Sequence, residues 1–229
     1  MGRVFGILVF VVAIMAPSSA RAQVSVWLQK GVSGVGASSG VLVASGETGL
    51  NAEVGYSYLG VLELDLDLGW AHAGGDPQVD GSSIDGVNLG PVIQFHPVKQ
   101  SKEVPISFDL QGASRQSFYF SQALTDQGLS AAGWQIALGG GVYRFVPLAA
   151  SVGVIPEVDL AWIHSSTTIS RDRMDLATTT QDDLAVIVGA NFALLDSAGH
   201  IWGVTPTLSF GTAATTFGLA VNFVLPMEH

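Results

Sequence analysis

The chain has 229 residues, 48% of them hydrophobic and 12% charged, with 9 Lys and Arg against 19 Asp and Glu, for a formal net charge of −10. That balance excludes a nucleic-acid binder, which needs a basic surface. The lack of cysteine excludes a disulfide framework and a thiolate metal site.

Residues 1–22 read as an export signal. Arg3 supplies the positive start, residues 4–15 are apolar, and Ala20-Arg21-Ala22 is a small-x-small cleavage site. The apolar stretch is shorter than the roughly 20 residues that a spanning helix takes. Residues 23–229 are then expected to form one barrel domain. Within it the pattern has a period of two, which means strand, because successive side chains point to opposite faces.

Residues 23–30, with Val24, Val26 and Leu28 on one face, predict a short first strand, with Lys30 near its end. The Gly/Ser-rich segment 31–49 predicts a connection. Residues 50–58 predict the second strand, Leu59-Gly60 a tight turn, and 61–72 the third strand. Segment 73–85 is a loop rich in Gly, Asp and Pro. Residues 87–95 predict the fourth strand and 106–116 the fifth, joined by the turn 96–105. A loop at 117–130 leads to the sixth strand, 131–143, and a turn at 144–149 to the seventh, 151–164. A polar loop at 165–181 holds Arg171, Asp172, Arg173 and Asp175. The eighth strand is 183–193, the ninth 201–210 and the tenth 215–225. Only 211–214 separates the last two.

The apolar faces of these segments hold no Lys, Arg, Asp or Glu. The opposite faces hold Glu53, Glu63, Asp65, Asp67, Asp109, Glu157 and Asp159, with Arg115 opposing them and Arg144 near a turn. A greasy face backed by acids and glycines is what a membrane barrel needs, since lipid offers the backbone no partners. The expected fold is all-β: a single antiparallel up-and-down transmembrane barrel of 10 strands, with 8 as the alternative. Long polar loops alternate with shorter turns, as in barrels that place turns in the periplasm and loops outside. Aromatics are expected at both ends of the apolar face. Trp70, Trp134, Trp162, Phe210 and Phe217 fall at the outer ends, and Tyr56, Tyr58, Phe95, Phe192, Trp202 and Phe223 at the periplasmic ends. Pro91, Pro156 and Pro206 fall mid-strand on the apolar face, where a missing N–H breaks a ladder.

With its export signal, hairpin rhythm, NAEVGYSY (51–58), IPEVDLAWIHS (155–165) and closing FGLAVNFVL (217–225), the chain resembles the small bacterial outer-membrane β-barrel families, namely the OmpA-like, opacity-protein and OmpW-like groups. The resemblance implies residence in the outer membrane of a diderm bacterium. It also implies contact with outer-membrane lipid and lipopolysaccharide, and passage through the barrel-assembly machinery. That machinery reads a terminal aromatic in such families, whereas here Phe223 is followed by Val-Leu-Pro-Met-Glu-His.

The interior acids admit three readings. They form a hydrogen-bonded polar plug, or a narrow cation-preferring pore, or, for Asp65, Asp67 and a neighbour, a calcium site without ligand-loop spacing. His164-x-Ser166 is similar to a pair in outer-membrane lipid A deacylases, with Asp182 or Asp183 as candidate acid. By parity both side chains face lipid, and Thr167 stands where that family has Asn. Asp65-x-Asp67 resembles the acids of ten-stranded outer-membrane proteases, but falls mid-strand. His72, His96 and His200 are isolated and lack metal-ligand spacing. No cofactor or metal is expected. The leading expectation is a non-enzymatic protein acting through loops 73–85, 117–130 and 165–181, with an external ligand that the residues do not name. Arg171, Arg173 and Lys30 are candidates for lipopolysaccharide phosphates.

Overall fold

The structure, a computed structural model, describes residues 24–74, 83–212 and 214–227. The export signal and most of the loop expected at 73–85 lie outside the described residues. The elements are α1 (Val24–Trp27), β1 (Ser33–Ala44), β2 (Glu47–Tyr58), β3 (Leu62–Ala73), β4 (Ile84–Val98), β5 (Ser107–Phe120), α2 (Gln122–Asp126), β6 (Ser130–Tyr143), β7 (Val146–Ala149), β8 (Val152–Arg171), β9 (Met174–Leu195), β10 (Ile201–Phe210) and β11 (Thr215–Met227). Pairing is antiparallel, and β1 pairs with β11 while β6 pairs with β8. The short β7 is a spur on β8. The sheet therefore closes into a ten-stranded up-and-down barrel, and closure removes the edges of the ring. The proximal rim carries residues 24 and 227. The distal rim carries α2 and the β8–β9 turn.

Alternation places each side chain. On β3, Leu62, Leu64, Leu66, Leu68 and Trp70 point outward and are 37–51% exposed, while Glu63, Asp65 and Asp67 point inward and are at most 6% exposed. The apolar surface is thus outside and the charge inside, the reverse of a water-soluble fold.

Two expected elements are corrected. Residues 24–30, within the segment expected as the first strand, are not a strand. Val24 and Leu28 are four residues apart, so a helical turn puts them on one face, where they pack with Val224, and Val26 meets Tyr143 and Ile155. The first strand is instead β1, inside the segment read as a connection. Its glycines make room for α1. A Cβ on Gly36 would stand 2.5 Å from Val24 Cγ2, one on Gly34 2.8 Å from Leu28 Cδ1, and one on Gly203 2.9 Å from Trp27 Cζ2. Likewise, 165–181 is no loop. It is the continuation of β8 and β9 to a two-residue turn at Asp172 and Arg173, both with positive φ (51° and 67°). Segment 117–130 is shorter than expected, because β5 runs to Phe120 and α2 follows, its N-terminus capped by Ser121 Oγ accepting from Leu124 N at 3.1 Å.

The three mid-strand prolines sit where the ladder on one side is interrupted. The β4–β5 pairing skips Gly90 and Pro91 and resumes in the same register, and β9–β10 skips Thr205 and Pro206. Pro156 lies one residue beyond the last β6–β8 pair, Tyr143 with Glu157. At Pro91 and Pro206 the missing N–H coincides with a gap in the ladder, while the Pro156 carbonyl still accepts from Arg144 N at 3.2 Å.

Candidate functional site

The interior is the most densely functionalised part of the molecule. Register sets Glu53 opposite Asp67, Gly55 opposite Asp65 and Ser57 opposite Glu63 across β2 and β3. Glu53, Glu63, Asp65, Asp67, Asp109, Glu157, Asp159 and Arg115 are all at most 8% exposed. Arg115 Nε donates to Asp67 Oδ2 at 2.6 Å, a charge-assisted bond in a dry setting.

Several acids lie over glycines of a neighbouring strand. A Cβ at Gly55 would overlap the Asp65 carboxylate, one at Gly141 the Asp159 carboxylate, and one at Gly189 the Glu157 carboxylate. The acids and glycines on the polar face are therefore complementary halves of one packing pattern. Glu157 Oε2 accepts from Asn191 Nδ2 at 3.0 Å. Asn191 Oδ1 accepts from Thr205 Oγ1, which accepts from Asn222 Nδ2 at 2.7 Å. That chain ties β8, β9, β10 and β11 together across the interior.

Helical turn α1 closes the proximal end. Glu63 accepts the N–H of Val24 at 2.7 Å and of Ser25 at 2.6 Å, and Ser25 Oγ meets Ser57 Oγ at 2.6 Å. Lys99 Nζ donates to the carbonyls of Ser25 and Leu28 and lies 5.6 Å from the Tyr143 ring centroid. The Tyr143 hydroxyl meets His96 Nδ1 at 2.9 Å. At the distal end Leu124 and Leu129 pack onto Ala71, Ala73, Ile84, Tyr119, Ala131 and Ile169. Side chains of α1 pack into the proximal end and the Leu124–Leu129 cluster into the distal end, and among the acids between them Glu63, Asp67 and Glu157 accept the hydrogen bonds named above.

Ten of the aromatic side chains read as girdle residues lie on the outward face. Trp70, Trp134, Trp162, Phe210, Phe217, Tyr56, Tyr58, Phe95, Phe192 and Trp202 are exposed. Phe223 is half-buried, with its ring 4.4 Å from that of Trp202. Three His–Asp pairs lie beside these rings; Asp182 is among the acids expected for His164, while the pairs of His72 and His200, read as isolated, are missed by sequence reasoning. His72 Nδ1 meets Asp85, His164 Nδ1 meets Asp182 and His200 Nδ1 meets Asp196, each at 2.9 Å. His72 stacks on Trp70, and His164 lies between Trp134 and Trp162. Only the register, with His72 opposite Asp85 and His164 opposite Asp182, reveals the first two.

The candidate hydrolytic residues divide. His164 takes Asp182 as its partner, while Ser166 is 8% exposed, opposite Trp134 and Thr180, and stands outside that pair. Asp183 instead accepts from Thr212 N at 2.7 Å. Asp65 and Asp67 are buried in mid-barrel, away from the rims. Among the described residues no group of three or more His, Cys, Asp or Glu is placed to hold a metal ion. Lys30 lies at the proximal rim, not at the outer end expected for it. Arg144 is exposed in the turn after β6.

No family model matches the chain, and no curated protein is similar to it. Solved structures of outer-membrane β-barrels are similar to it. The translocator domain of autotransporter NalP from Neisseria meningitidis is 8% identical, with 86% of this chain and 88% of that one covered, at a TM-score of 0.49. Ail, the attachment invasion locus protein of Yersinia pestis, is 8% identical over 87% of this chain and 100% of that one, at 0.36. The outer membrane protease OmpT from Escherichia coli is 6% identical over 86% and 92%, at 0.40.

Proposed function

We propose that this chain is a non-enzymatic integral outer-membrane barrel whose contact surface is the distal β8–β9 hairpin. The observation that carries the role is the edge of β9. Its pairing with β10 ends at Val186 opposite Phe210, so 174–182 presents backbone donors and acceptors on that side, with Met174 and Leu176 at 66% and 48% exposure. Such an edge is a template for an added strand, with main-chain hydrogen bonds giving affinity and alternate side chains giving selectivity. The partner class is an extended polypeptide segment.

Membrane residence is supported by the exterior. From Leu62 to Trp70 the apolar face of β3 spans roughly 20 Å along the barrel axis, taking about 3.3 Å per residue and a tilt near 40°. That approaches the apolar band of roughly 25 Å seen in outer-membrane barrels. In this orientation the proximal rim is periplasmic and the distal rim external. The interior acids act as packing, because both ends of the lumen are filled. His164 and Asp182 anchor the aromatic girdle and do not activate Ser166.

Two measurements test the reading together. Outer-membrane fractions run unboiled and boiled should show a heat-dependent gel shift. Trypsin added to intact cells should cut the hairpin at Arg171 or Arg173. Recovery in the soluble periplasm without a shift, or a hairpin cut only after lysis, would falsify it.

A further inference from the structure

We infer that the proximal rim carries a binding site for anionic phospholipid, resting on the membrane reading above. The chain is acidic overall, yet four of its 9 basic residues, Lys30, Lys99, Lys102 and Arg144, gather at this rim. Three of them, the lysines, line one cavity of about 590 Å³, together with Trp27 and Phe145. Lys99 is engaged with α1, but Lys30, Lys102 and Arg144 make no ion pair among the described residues. Of the acids at this rim, Glu103 accepts from Ser101 Oγ at 2.9 Å, and Asp196 is taken up by His200 and Trp202.

The second half of the argument is the apolar surface beside these cations. Val104 and Ile106 in the turn after β4, Phe145 in the turn after β6 and Leu148 in β7 are 37%, 41%, 44% and 60% exposed. Turns projecting into water have no reason to carry them. A phosphodiester headgroup fits the cations and its acyl chains fit these four side chains, which continue the greasy belt past the strand ends. The distal rim has the opposite character. Asp85, Asp126, Asp172, Asp175, Asp182 and Asp183 lie there against Arg171 and Arg173. A basic periplasmic rim and an acidic outer one orient the barrel toward anionic lipid in the inner leaflet.

The test uses the full mature barrel folded in neutral detergent. Native mass spectrometry counts bound phosphatidylglycerol and phosphatidylethanolamine, for the wild type and for the Lys30→Gln/Lys102→Gln/Arg144→Gln variant. These three side chains are exposed, so the variant should keep its heat-dependent gel shift. Wild type should retain phosphatidylglycerol about tenfold over phosphatidylethanolamine or better, the variant should lose that preference, and excess inorganic phosphate should not displace the lipid. Equal retention of the two lipids by wild type, an unchanged preference in the variant, or displacement by inorganic phosphate would each overturn the inference. A wild-type sample without the gel shift would instead overturn the membrane reading on which it rests.

Discussion

Glu63 is the residue on which proximal closure turns. It is fully buried, and both its oxygens are used on the first N–H groups of α1, which have no partner within the helical turn. Replacing it with Ala leaves two buried donors unsatisfied, each costing about 1–3 kcal/mol. Glu63→Ala should therefore lower stability by about 2–6 kcal/mol, read as a lower urea midpoint in detergent, and should release α1, read as faster tryptic cleavage at Lys30. Glu63→Gln keeps one acceptor and should lie between. Lys99, at the other end of α1, yields a pH prediction. Burial pushes its amine down from 10.5 to about 8. Between those values the unfolded chain holds a proton that the folded barrel has released, so stability from this group rises with pH across the window. Urea midpoints measured from pH 8 to 10 should climb in wild type and climb less in Lys99→Met.

The β8–β9 hairpin shows how an element is specified by its turn. A two-residue turn with positive φ at both positions matches the twist of the flanking strands, and Asn-Gly suits it best. Here Asp172 and Arg173 occupy it, and a non-glycine residue such as arginine is disfavoured there by about 1–2 kcal/mol. Arg173→Gly should stabilise the hairpin by about 0.5–1 kcal/mol after the entropy of glycine is counted, read as slower amide exchange at Thr168 and Thr178. A faster exchange would show that the Arg173 side chain holds the turn. This hairpin also shows where legibility ended. The alternation of β3 was readable because leucines and acids alternate without exception. The outer parts of β8 and β9 are mostly Ser, Thr and Asp, with Ile169, Met174 and Leu176 too sparse to show apolar alternation, although threonine favours strands. Strand β1 hid for the same reason, its inward face being Gly34, Gly36, Ser38 and Gly40 before Leu42 and Ala44. Val24, Val26 and Leu28 fit a strand and a helical turn equally well, and only the socket of glycines on β1 and β10 decides. At the site, the burial of Glu53 and its fellow acids followed from parity. Their pairing with Gly55, Gly141 and Gly189 depends on register, which no single strand reveals.

At the scale of the molecule, separate groups of side chains pack into the two ends of the barrel, and that arrangement makes a prediction with a definite logic. The proximal filling is α1, held by Glu63 and Lys99. The distal filling is the cluster of Leu124 and Leu129 with Ile84, Tyr119 and Ile169. Opening one end leaves the other shut. In planar bilayers the wild type, the Glu63→Ala variant and a Leu124→Ala/Leu129→Ala variant should each be electrically silent. The combination of all three substitutions should conduct in small steps. Those steps should prefer cations, because the acids of the interior outnumber Arg115 and Lys99, and rings of acid favour cations. Adding Asp65→Asn should weaken that preference while leaving both fillings as they are. If either end alone opens a conductance, the other filling is not a seal. If the combined variant stays silent while still shifting on the gel, the acids packed over their glycines are themselves a third closure, and the barrel is a solid-cored platform for its external hairpin.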